Sequence, residues 1–257
     1  MSNLHQYSEE FFEYIERGAM LSAQEFVRLL VPLLRPRSVL DVGCGRGIWV
    51  REWKRAGLEI AKGVDGPYVR AESLHIPRQD FLAVDLAAGF EVGEKFDLVT
   101  SFEVAEHLPP SSSGRFVETL AAHGDMIAFS AATPGQGGEN HINERPLAFW
   151  QGLFAEHGFD AFDVIRDGLK SKESVEPWYR FNSILYVRRE LAACLRPEVL
   201  QTRISPAKLT ERGDLRWQLR KLALRPLPVG LVTALSRWNY GRLNRSHRRN
   251  HPNLIDD

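Results

Sequence analysis

Two cysteines in 257 residues, Cys44 and Cys194, are too few for a disulfide framework and lack the spacing of a metal-binding knot. No apolar run reaches the roughly 18 residues that a membrane span needs. The opening stretch MSNLHQYSEEFFEYIERG holds four glutamates and lacks the basic-then-apolar order of a secretory leader. These absences predict a reduced, cytoplasmic protein. Internal repeats and low-complexity segments are missing too, which excludes solenoids and leaves one globular core with room for an appendage. Net charge is also lacking, because 33 lysines and arginines meet 33 acids. The balance is uneven along the chain: residues 1–187 hold 18 basic against 27 acidic side chains, and residues 188–257 hold 15 against 6. An acidic body of charge −9 is followed by a basic segment of charge +9.

What is abundant is a βα alternation. Two helical stretches are read before the first strand, one capped by Ser8 and carrying Phe11, the other opening on a Ser22/Glu25 capping box. Strands follow at 38–42, 59–64, 81–84, 96–101, 125–130, 161–166 and 183–188, with helices at 48–56, 114–123 and 147–157. Units of this length predict an α/β fold with a mostly parallel sheet covered by helices on both faces. The organisation expected is an N-terminal helical lid over 1–36, a cofactor-binding domain over 37–190 and a basic helical extension over 191–257.

The stretch SVLDVGCGRGIWV places Gly43, Gly45 and Gly47 where the first strand turns into a helix. Such a turn exposes main-chain N–H groups to a ligand at the positive end of a helix. A dinucleotide fingerprint would read G-x-G-x-x-G, and a pyrophosphate would be repelled by Asp41, whereas a ligand bearing an ammonium or sulfonium would not. Asp65 ends the second strand, where a carboxylate can accept both hydroxyls of a ribose. Asp85 follows the third, placed to accept from the exocyclic amine of a purine.

VLDVGCGRG, GVDG, DL and FDLVTSFEVAEHL, in that order, resemble the motifs of class I S-adenosylmethionine-dependent methyltransferases, over roughly residues 5–190. The chain is also similar to bacterial methyltransferases with FSAA-PGQGG, H-NE and EPWYR-N blocks, which are often associated with surface-glycan or natural-product pathways. The resemblance implies a Rossmann-like seven-stranded sheet whose last strand is antiparallel, and S-adenosyl-L-methionine as cofactor. It implies a cradle of Asp41, Gly43, Cys44, Gly45 and Gly47, with Asp65 and Gly66 at the ribose, Asp85 and Leu86 near the adenine, and Ser101 and Glu103 beyond. Where relatives have NEQWP and a tryptophan near residue 169, this chain has NERP and DGLKSKES, so a different acceptor wall is expected.

Methyl transfer needs alignment and removal of a proton from the nucleophile. A helix begun after the fourth strand would put Glu103, Glu106 and His107 on one face, with His107 as a candidate general base. The long polar connection SAATPGQGGENHINERP offers His141 as a second base, and Gln136, Asn143 and Glu144 as acceptor contacts. Trp178 and Tyr179 offer flat faces for a sugar or ring, and Tyr7 reaches in from the lid. The expected function is O-methylation of a sugar, glycan or glycosylated small molecule, without a metal.

Two alternatives stand beside it. Glu103, Glu106, His107 and His141 echo the E-x-x-E-H…H set of small-RNA 3′-end ribose 2′-O-methyltransferases, which hold a divalent metal; without an RNA-binding module, nucleic acid is not expected as a partner. The other alternative is a non-catalytic cofactor-binding scaffold. In the tail, leucines 209, 215, 219 and 222 and then Val229, Val232, Leu235 and Trp238 suggest two amphipathic helices, followed by Arg242, Arg245, Arg248 and Arg249. That pair is expected either to pack on the acidic body or to touch the inner face of the membrane peripherally.

Overall fold

The mostly apolar run Ser38–Val42 forms β1, an inner strand of the sheet, flanked in parallel by β2 (Ile60–Asp65) and β4 (Leu98–Phe102). The structure, a computed structural model, describes residues 9–250. Tyr7 and Ser8, and the side chains of Phe11, Arg245, Arg248 and Arg249, lie outside the described residues. With β3 (Phe81–Ala83), β5 (Met126–Ser130), β6 (Phe159–Phe162), β7 (Ile184–Arg188) and β8 (Arg203–Ile204), the strand order is 3-2-1-4-5-7-6-8. β7 runs antiparallel to both its neighbours, β5 and β6. The sheet therefore has the expected seven strands plus one. The eighth is two residues from the C-terminal extension, laid along the edge of β6 through Ala161↔Ile204 and Phe162↔Arg203.

Helices cover both faces, as the short crossovers between parallel strands require. On one side pack Phe26 and Leu30 of α1 (Glu9–Leu34), Trp49 and Trp53 of α2 (Ile48–Arg55) and Ile165 of α5 (Val164–Leu169). On the other pack Phe116 and Leu120 of α3 (Ser113–His123), and Trp150 and Phe154 of α4 (Leu147–Glu156). α6 (Pro177–Asn182) precedes β7; α7 (Pro197–Leu200), α8 (Leu215–Leu224) and α9 (Val229–Asn250) make up the extension.

Several local expectations are corrected. Among the described residues one helix, α1, precedes β1 where two were expected. Ser22 is not a cap but a buried residue inside α1, where its hydroxyl donates to the Gly18 carbonyl at 2.7 Å and accepts from the Glu176 N–H at 3.1 Å. Gly18 leaves α1 unbroken and makes room for α6, since a Cβ there would lie 2.2 Å from a Glu176 carboxylate oxygen. β6 stops at Phe162 rather than 166, because Asp163 begins a turn closed by its ion pair with Arg166 at 2.5 Å. No α-helix starts at Glu103. Ala105–His107 form a single 3₁₀ turn, and Pro109 and Pro110 prevent its extension.

Candidate active site

A cavity of about 490 Å³ opens at the carboxyl ends of β1 and β4, where the strand order reverses. Its floor is the glycine turn. Gly43, Gly45 and Gly47 take φ of +82°, +53° and +89°, left-handed values that side chains resist. Gly43 is under a second constraint, because a Cβ there would lie 2.3 Å from Val104 Cγ2. Gly43→Ala is expected to destabilise the fold by about 2 kcal/mol or more. Gly57, at φ +93° with nothing within 4 Å of its notional Cβ, is the control, and Gly57→Ala should cost about 1 kcal/mol. Thermal unfolding compares the two.

Asp41 lines the cavity with its carboxylate 3% exposed. Oδ1 accepts from the Thr100 hydroxyl at 2.6 Å, while Oδ2 is buried without a partner among the described residues. Burial pushes the Asp41 carboxyl up to about 7; the Thr100 hydrogen bond opposes this and the charge of Asp65 adds to it. A buried carboxylate oxygen facing a cavity accommodates a cation, so the turn fits a sulfonium- and ammonium-bearing donor and disfavours a diphosphate. Cys44 also lines the wall, and burial, with the charges of Asp65 and Asp41, raises its thiol well above the ordinary range.

Asp65 sits at the end of β2, but its carboxylate is engaged by the protein. It accepts from the N–H groups of Gly45 and Gly66, each at 2.6 Å, and from the Tyr68 hydroxyl. Asp65 thus pins the glycine turn, and neither it nor Gly66 borders the cavity. Asp85 is exposed and accepts from the Ala87 N–H at 2.9 Å; Leu86 is packed into the core and Ser101 is fully buried. None of these three reaches the cavity wall.

The opposite wall carries the acid–base groups. Glu103 has φ +57°, a strained value held by its N–H donating to the Ser130 carbonyl at 3.1 Å. That kink turns Glu103 toward the cavity, where it accepts from the Gln136 side-chain amide. Glu106, in the 3₁₀ turn, is 0% exposed and neither of its carboxylate oxygens has a partner among the described residues. Burial, then the neighbouring Glu103 charge, push Glu106 well above the usual carboxylate range, and burial raises Glu103 as well.

His107 Nδ1 lies 3.3 Å from the Asn140 carbonyl, and His141 Nδ1 lies 3.1 Å from Glu144 Oε1. Each contact favours the tautomer whose proton is on Nδ1, which leaves the lone pair on Nε2. The two rings meet edge to face with centroids 4.9 Å apart. Glu106, His107 and His141 present ligand atoms within 4.8 Å of one another. Glu144 does not touch the cavity. It accepts from the N–H groups of Gly135 at 2.7 Å and Gly137 at 2.8 Å, so it folds the loop and orients His141. Asn143 is likewise internal, donating to the Ala105 carbonyl and the Ser113 hydroxyl. Gln136, Trp178 and Tyr179 do line the cavity.

Of the roof, the sequence suggested the N-terminal lid but not the share taken by the C-terminal extension. α1 contributes Ile15, Glu16 and Ala19, and Glu16 is bound to Arg46 of the glycine turn and to His75 at 3.2 Å. The basic extension contributes Leu224 from α8 and Val232, Leu235 and Trp238 from α9. It is tied to the 131–146 loop. Lys221 donates to the Thr133 hydroxyl at 2.6 Å, Arg237 pairs with Glu139 at 2.8 Å, and the Asn140 N–H donates to the Thr233 hydroxyl at 3.2 Å. Of these contacts Arg237–Glu139 joins a tail cation to a carboxylate of the body, as the charge asymmetry suggested, and amphipathic periodicity was the other signal for them.

The methyltransferase-domain family matches residues 13–159, more than half of the chain, and the chain belongs to that family. The matched domain has the sheet order and glycine turn of class I S-adenosylmethionine-dependent methyltransferases, a class whose cofactor is S-adenosylmethionine. Among curated proteins it resembles the ubiquinone biosynthesis O-methyltransferase of Ralstonia nicotianae, 36% identical over 116 residues, covering 41% of this chain and 47% of that one. It also resembles the Bordetella avium protein of the same name, 32% identical over 142 residues, covering 51% and 52%. The chain spans about half the length of these relatives. Among solved structures, DesVI of Streptomyces venezuelae superposes with a TM-score of 0.52 at 13% identity, covering 69% of this chain and 95% of that one. The sugar N-methyltransferase KedS8 of Streptoalloteichus sp. superposes at 0.51 and 16% identity, covering 74% and 96%. At these identities the likeness is one of fold.

Proposed function

We propose that the chain transfers the methyl group of S-adenosylmethionine to a hydroxyl oxygen of a small glycosylated or sugar-like acceptor. When bound, the cofactor supplies a methyl carbon activated by the adjoining sulfonium. The protein has to hold the donor, exclude water and take the acceptor's proton. Asp41 and the glycine turn would hold the donor's cationic portion, with Asp65 keeping the turn in shape. His141, oriented by Glu144, and His107, oriented by the Asn140 carbonyl, are the groups able to accept the proton at Nε2. The observation that carries this reading is the convergence of both imidazoles on one wall of the cavity that Asp41 lines.

The apolar lining contributed by Trp178, Tyr179, Leu224 and Val232 supports an acceptor with an apolar body behind its hydroxyl. Incubating the chain with isotope-labelled donor and matched pairs of glycosides and aglycones tests this. Donor binding with no transfer to any hydroxylated acceptor would overturn it and leave a binding scaffold.

A second reading is favoured by Glu106, a fully buried carboxylate with two unpartnered oxygens beside two imidazoles. This donor set suits Mn²⁺, Co²⁺ or Zn²⁺ better than Mg²⁺. Such an ion would polarise adjacent hydroxyls of the acceptor, and the histidines would then hold it rather than take a proton. On this reading, dialysis against EDTA abolishes turnover and Mn²⁺ restores it. Turnover that survives EDTA leaves the imidazoles as the bases.

A further inference from the structure

An amphipathic helix on a protein's surface normally buries its apolar stripe and shows its charges. α8 leaves a second apolar stripe on its outer side. Trp217 and Lys221 are buried against the body, and Lys221 is held there by Thr133 and Glu211. Leu215, Leu219 and Leu222, at i, i+4 and i+7, form one stripe on the opposite side and are 71%, 56% and 69% exposed. Arg216 and Arg225, both exposed, flank that stripe on its two sides. α9 repeats the pattern: Leu231, Leu235 and Trp238 are 48%, 43% and 62% exposed at the same spacing, and the Arg242 guanidinium lies 5.3 Å from the Trp238 ring. Seven of the thirteen exposed large apolar side chains among the described residues fall between 215 and 238. Scattered exposed leucines need no explanation, but two stripes edged by arginine in a segment of charge +9 do.

We propose that the outer face of α8 and α9 docks on an anionic lipid bilayer. The leucine stripe would enter the headgroup–acyl boundary, with the flanking arginines on lipid phosphates and Trp238 at the polar boundary. Charge decides for a bilayer over a second copy of the chain, since a second copy would set arginine against arginine. Leu235 and Trp238 belong both to this face and to the cavity wall, so docking places the cavity's mouth against the membrane. An acceptor anchored by an apolar tail could then enter without leaving the lipid.

The test is co-sedimentation of the full chain with vesicles of phosphatidylcholine alone, or with phosphatidylglycerol as about a third of the lipid. The wild type should partition onto the anionic vesicles at least tenfold more strongly, and the difference should shrink with added salt. The triple variant Leu215→Ser, Leu219→Ser, Leu222→Ser should lose at least tenfold of that binding, while S-adenosylmethionine affinity and circular dichroism stay unchanged. If that variant misfolds, Arg216→Glu with Arg225→Glu decides, and should remove the preference for anionic lipid. Equal sedimentation of wild type and variants overturns the proposal. So does a concentration-dependent dimer, seen by sedimentation velocity without lipid and abolished by the serines, which would make the stripe a contact between copies. Because these readouts involve no acceptor, they stand or fall independently of the proposed transfer reaction.

Discussion

Replacing His141 with alanine should lower the rate of methyl transfer by roughly 10²–10⁴-fold, the usual contribution of a positioned proton acceptor. Affinity for S-adenosylmethionine should move by less than about twofold, because the residues proposed to hold the donor lie on the glycine turn. The ring sits on Gly138, where a notional Cβ would lie 2.1 Å from His141 Nε2, so its position is set by packing as well as by Glu144. Glu144→Gln should cost less, roughly 10–100-fold, since the single amide oxygen can keep one of the two loop N–H bonds but the neutral amide no longer stabilises a protonated imidazole. Glu144 itself fits that task. Burial works to raise its carboxyl, but His141 and the N–H groups of Gly137 and Gly135 outweigh it and hold the group below the usual range. Single-turnover rates and calorimetric donor affinities on the same preparations check this. A parallel loss of rate and donor affinity in His141→Ala would place the imidazole at the donor rather than at the acceptor.

Donor binding should tighten as pH rises from 6 to 8, and Asp41→Asn should abolish that dependence. In the donor-free protein the Asp41 carboxyl, raised to about 7 chiefly by burial, holds its proton below neutrality. A cationic donor prefers the carboxylate, so below pH 7 binding must expel a proton, and affinity falls by up to about tenfold per pH unit. The sign for folding is the opposite. The folded group holds its proton more tightly than the unfolded one, so its contribution to stability is complete below about pH 4 and is lost as pH rises through about 7. The Asp41→Asn protein should therefore gain on the wild type in thermal stability at pH 8, without donor, relative to pH 5. Calorimetry in two buffers of different ionisation enthalpy counts the released proton. A wild-type affinity that does not change with pH would sink the assignment.

The sheet was legible because β-branched runs, glycine punctuation and helical periodicity all pointed the same way from Ser38 to Glu156. The glycine turn and Asp41 were legible for a stronger reason, since few ligands tolerate that combination. Other features failed on specific physics. Ser22 carried a cap signature, but its hydroxyl serves helix packing against Glu176, a contact 154 residues away. Glu103, Glu106 and His107 do converge on the cavity, yet through a left-handed kink and a 3₁₀ turn rather than a helix face. Asp85 reads as purine-facing by its place after β3; in the structure it is exposed outside the cavity lining, and its Oδ1 accepts from the Ala87 N–H of its own turn. The six-residue helices α5 and α6 are too short for periodicity to register, and the two residues of β8 leave no pattern at all. The tail's amphipathicity was visible, but which side of it would face the body was decided by Lys221 reaching Thr133 across 88 residues.

The family match ends at residue 159, whereas the ceiling supplied by α8 and α9 is written after residue 214. The residues proposed to hold the donor and to take the proton thus lie inside the matched span, while part of the apolar lining proposed for the acceptor lies after it. Exchanging residues 215–257 between related chains should therefore reshape the cavity's ceiling and shift the acceptors accepted, while the methyl source stays untouched.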